Sequence, residues 1–60
     1  MSDFIQATAD LMVDMYGHRA VAEAADRAST AESRYDERAA ENWMLVALAI
    51  RARDGAAAPR

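Results

Sequence analysis

The sequence predicts an all-α protein, a two- or three-helix hairpin completed as a helical bundle by oligomerisation. Three observations predict it. Alanine is the commonest residue and β-branched residues are few, with Gly twice and Pro once near the end, a mixture that favours helix over sheet. Apolar residues recur at steps of three and four in three successive segments, 3–16, 18–33 and 36–53. The last segment contains WMLVALAI at 43–50, an unbroken apolar run that surrounds its helix instead of leaving a wet side.

In the first segment, Phe4, Ile5, Thr8, Leu11, Met12, Met15 and Tyr16 fall on one stripe at about 100° per residue. Asp3, Gln6, Asp10 and Asp14 fall opposite. Ser2 or Asp3 caps the N-terminus, Asp3 and Gln6 having capping-box spacing. Gly17 is placed to end the helix in the left-handed conformation. The second segment repeats the period with small residues: Ala20, Val21, Ala24, Ala28 and Ala31 on one face, Glu23, Asp26, Arg27 and Thr30 on another. Arg19, Glu23 and Arg27 stand at successive i, i+4 positions of a solvated face. An alanine face buries little area but lets a neighbouring helix come close, so this helix is expected between the bulkier first and third.

The third segment has two apolar stripes. Ala39, Ala40, Trp43, Val46, Ala47 and Ile50 face the other helices, while Met44, Leu45, Leu48 and Ala52 lie roughly 100–200° away around the helix. One hairpin cannot cover both stripes. Met44, Leu45, Leu48 and Ala52 are therefore the expected interface, because a contiguous exposed apolar patch marks a contact site. The expected core is Phe4, Leu11, Met12, Met15, Val21, Ala24, Ala28, Trp43, Val46, Ala47 and Ile50. The joint SRYDER holds no Gly or Pro, so one continuous helix over 18–53 competes with the hairpin. The hairpin is favoured because Ser33 with Asp36, or Asp36 alone, supplies a new N-cap and because folding back buries both stripes. Residues 1–54 form the expected single domain and 55–60, GAAAPR, a flexible tail.

Size explains why a second chain is expected. A domain of 60 residues buries only about 60% of the surface that its unfolded chain exposes, and disulfides, a metal or oligomerisation usually make up the deficit. Cysteine is absent and His18 is the one histidine, so disulfides and thiolate or His-rich metal sites within a chain are excluded. Oligomerisation or a partner is left, and no cofactor is expected. The net charge is −3, with seven arginines and no lysine against ten acids, which argues against nucleic acid as a direct partner. The acidic start MSDFIQ is unlike a secretory signal and the run at 43–50 falls far short of the ~20 residues that span a bilayer, so a cytoplasmic protein without a membrane partner is expected.

With the segments placed, a pattern emerges: YGHRA closing the first helix, then Arg27 and Ala28, Asp36, Ala39 or Ala40, Trp43, Val46, and Ala49 with Ile50. It resembles a family of short, uncharacterised, Ala-rich helical bacterial proteins, a domain of unknown function, over roughly residues 5–52. In that family a first helix ends in Gly, and an Arg-Ala pair precedes a Gly-Asp turn and a Trp-centred last helix. The chain departs from it at the turn, where Tyr35 stands in place of glycine. The resemblance implies a compact helical domain and brings no catalytic residues.

Catalytic constellations are weak. His18 follows Asp14 by four residues, but Gly17 between them ends the helix, and a histidine capping helix carbonyls is the simpler reading. Glu23, Glu32, Glu37 and Glu41 lack the Glu-x-x-His pairs of di-metal bundles. Ser2, Ser29 and Ser33 bear no triad relation to His18. Arg27, Arg34 and Arg38 suggest an anion site only faintly, since Glu23, Asp36 and Glu41 are at hand to pair with them. The leading expectation is a small non-catalytic interaction or regulatory module that self-associates, as a dimer by preference. The alternatives are an adaptor or inhibitor binding another protein through Met44, Leu45 and Leu48, steered by Asp3, Asp10 and Asp14, and a metal-dependent oligomeric enzyme that uses His18 and carboxylates across subunits.

Overall fold

A computed structural model describes the backbone of residues 3–57 and the side chains of residues 3–53. Its elements are α1 (Asp3–Tyr16), a 3-10 turn (Gly17–Arg19), α2 (Ala20–Ser33) and α3 (Glu37–Ala57). Among the described residues all regular structure is helical, and the architecture is the helical hairpin that the patterning predicts. The cap expected at Ser2 lies outside the described residues, as do positions 58–60 of the expected tail. Gly17 sits at φ +58°, the left-handed conformation that breaks α1 from α2. At its other end α3 runs through Gly55 to Ala57, beyond the domain boundary expected at 54. Alanines carry the helix onward there, each the best helix former available.

The joint between α2 and α3 is a turn and not a continuous helix. Tyr35 adopts φ +60°. Its N–H donates to the Glu32 carbonyl at 3.0 Å, and the Asp36 N–H reaches back to the Ala31 carbonyl at 2.9 Å. This paired closure of the last helical carbonyls requires a left-handed residue at the position of Tyr35. Asp36 then opens α3: its carboxylate accepts from the Ala39 N–H at 3.1 Å and its carbonyl accepts the first helical bond, from Ala40. Ser33 plays no part in that cap, since its hydroxyl donates instead to the Thr30 carbonyl.

The core is a seam of small residues with a few large ones set into it. Ile5, Ala9 and Met12 come from α1, Ala20 and Ala24 from α2, and Val46, Ala47 and Ile50 from α3, with Val13, Tyr16, Val21, Trp43 and Ala49 half-buried against them. Val46 and Ile50 are the largest fully buried side chains, each worth about 1.5–3 kcal/mol in apolar burial. The expected core members Met12, Ala24, Ala28, Val46, Ala47 and Ile50 are buried; Val21 and Trp43 are partly so. Phe4, Leu11 and Met15 are corrected: each is more than half exposed. The apolar arc of α1 is wider than the line along which it touches its neighbours, and the helix turns the half containing Ala9 inward. Ala9, with no exposed surface, lets backbones approach closely, whereas a seam centred on Phe4, Leu11 and Met15 would hold the helices apart.

Two contacts order the helices. Phe4 and Thr8 lie beside Ala39, Asn42, Trp43 and Val46, and Arg53 donates to Asp10, so α1 and α3 run in the same direction. The short turn makes α2 antiparallel to α3. No described helix is long and apolar enough to cross a membrane.

Candidate interaction surface

The fate of WMLVALAI follows from helical geometry. Val46, Ala47 and Ile50 point inward and Trp43 and Ala49 are half-buried, while Met44, Leu45 and Leu48 are 55%, 43% and 58% exposed. Ala52 is exposed as well. These are the four residues expected to form an interface, and among the described residues no other helix covers them. Leu45 stands about 100° around α3 from Met44, so the patch wraps over more than one side of the helix.

Met44 also borders a groove of about 430 Å³ between α2 and α3, whose lining includes no residue of α1. Its floor is alanine: Ala25 and Ala28 from α2, Ala40 and Ala47 from α3. Its rim includes Glu32, Glu37 and Glu41. A row of alanines between two helices leaves a trough because neither helix supplies the volume to fill it. This groove was not legible in the sequence as a site, although the alanine face of the second segment was the signal for close approach. A second apolar stripe, Phe4, Leu11 and Met15, lies exposed on α1.

On another side of the hairpin, Arg27 is held between two aromatic rings. Its guanidinium lies 5.4 Å from the Tyr16 ring centroid and 5.5 Å from that of Trp43. It donates to the Glu23 carboxylate and the Tyr16 hydroxyl, each at 3.0 Å, and to the Glu23 carbonyl at 3.1 Å. The bond to Glu23 and then the bond to Tyr16 raise its pKa above the ordinary arginine value. The cluster ties the C-terminal end of α1 to the middle of α2 and to Trp43 of α3, and both terminal nitrogens of the guanidinium are committed to partners within the chain. Periodicity placed Arg27 on a solvated face and could not see it, because the two rings come from positions distant in sequence.

The remaining candidates are dispersed. His18 is exposed in the 3-10 turn, and its ring makes no hydrogen bond among the described residues, so the expected capping is not made. No cluster of three or more His, Asp or Glu side chains suited to a metal ion is found among the described residues. Arg34 and Arg38 are exposed near the turn, while Arg27 is committed to Glu23 and Tyr16. No family model, curated protein or solved structure matches the chain.

Proposed function

We propose that this chain is a small non-catalytic interaction or regulatory module that self-associates, most simply as a two-fold dimer, through the outward face of α3 formed by Met44, Leu45, Leu48 and Ala52. The observation that carries the reading is the exposure of Met44, Leu45 and Leu48 within a helix whose opposite face holds Val46 and Ile50 fully buried. A chain of this size has little core of its own, and a second copy supplies the missing burial. The acidic balance and the lack of a membrane-spanning helix among the described residues favour a cytoplasmic protein that binds other protein and neither nucleic acid nor lipid.

The test is native mass by size-exclusion chromatography with light scattering across a range of concentrations. A mass of twice 6.6 kDa is expected. Leu48→Glu should give a monomer or an unfolded chain, and an unchanged mass and Tm would sink the reading. The exposed Phe4, Leu11 and Met15 stripe favours a second reading, an adaptor that offers two apolar faces to another protein. A chain that is folded and monomeric at every concentration would support that alternative.

A further inference from the structure

We infer that the occupant of the α2–α3 groove is the α3 helix of a second copy, lying antiparallel across a two-fold axis at Met44. The inference rests on the self-association reading and specifies its geometry. Along α3 the residues Glu37, Ala40, Glu41, Met44, Ala47, Leu48 and Arg51 share one strip, at the three- and four-residue spacing of a helix seam. The first five line the groove, and Leu48 and Arg51 continue the strip as exposed residues.

The strip is self-complementary when reversed. Glu37 precedes Met44 by two helical turns and Arg51 follows it by the same distance, so a copy turned end over end about Met44 sets Glu37 against Arg51 of the second copy, and Arg51 against its Glu37. Ala40 and Leu48 are likewise equidistant from Met44. The buried, recessed Ala40 therefore meets the protruding Leu48, which fills the volume that alanine leaves empty. Neither Glu37, Glu41 nor Arg51 makes an ion pair within the chain among the described residues. Glu32 of α2 adds a third acid at the same end of the groove, so this end needs a cation and the second copy brings one. A parallel pairing would stack Glu37 on Glu37, Ala40 on Ala40 and Leu48 on Leu48, joining repulsion to a void.

The experiment is a charge swap in the full chain, with dimer dissociation measured by sedimentation and helicity followed by circular dichroism. Glu37→Arg and Arg51→Glu should each weaken the dimer by about tenfold in Kd at low salt, because each turns two attractive contacts into repulsive ones. The double variant should recover most of the loss, and high salt should shrink all the differences. Single variants that dimerise as tightly as the parent, or a tighter dimer from Glu37→Arg, would overturn the antiparallel arrangement and leave self-association standing. A parent chain that stays monomeric would overturn both. If a charge variant fails to fold, cysteine pairing decides: with no native cysteine, a mixture of Glu37→Cys and Arg51→Cys chains should form the mixed disulfide on oxidation, while either alone should not. Failure of the mixture to crosslink would also overturn the arrangement.

Discussion

Tyr35 is the residue at which local preference and tertiary need conflict. A left-handed backbone costs an L-residue roughly 1–2 kcal/mol, and the side chain gains nothing in return, being 93% exposed. The turn forms because reversing the chain there lets α3 bury Val46 and Ile50. Glycine at this position removes the steric cost and adds part of it back as chain entropy. Tyr35→Gly should therefore stabilise the fold by about 0.5–1 kcal/mol, read as a rise in Tm of a few degrees. A fall in Tm would mean that the tyrosine makes a contact outside the single chain. Arg27 carries the opposite lesson. Its i, i+4 partner Glu23 was visible in the sequence, but its place between Tyr16 and Trp43 depends on three helices meeting, which no local spacing encodes.

At the scale of the element, α1 separates the hydrophobicity of a stripe from its use. Met12 and Leu11 are adjacent and both apolar, yet one is buried and the other more than half exposed. Met12→Ala should cost at least about 2 kcal/mol, whereas Leu11→Ala should shift stability by less than about 0.5 kcal/mol, both measured by urea unfolding. Equal costs would mean that Leu11 is covered in solution. The end of α1 and the start of α3 were legible because Gly17 and Asp36 act locally, one through its left-handed backbone and the other through its carboxylate on the Ala39 N–H, whereas the C-terminal end of α3 was not. The width of the buried seam was not, because it depends on how closely α2 and α3 come to Ala9. The candidate surface on α3 was legible for a simple reason: an apolar run surrounding a helix cannot be covered on all sides by one hairpin.

For the whole molecule, the proposed self-association makes stability depend on a second copy as well as on the chain. With a seam built largely of alanine, the hydrophobic gain per residue is small, and an assembled form draws on the second copy for much of its burial. Thermal unfolding should then depend on protein concentration, Tm rising by a few degrees for each tenfold increase. A Tm independent of concentration would show that the single chain is stable without a partner. The helical hairpin class, the breaks near Gly17 and Asp36 and the inward set Met12, Ala24, Ala28, Val46, Ala47 and Ile50 were legible in the sequence itself, because propensity, capping and periodicity act over one or two turns. Only the tertiary structure decided that Phe4, Leu11 and Met15 lie outside, that Arg27 is clasped between rings and that an alanine-floored groove lies open beside Met44. Those features are set by the distances between helices, which depend on side chains remote in sequence meeting in space.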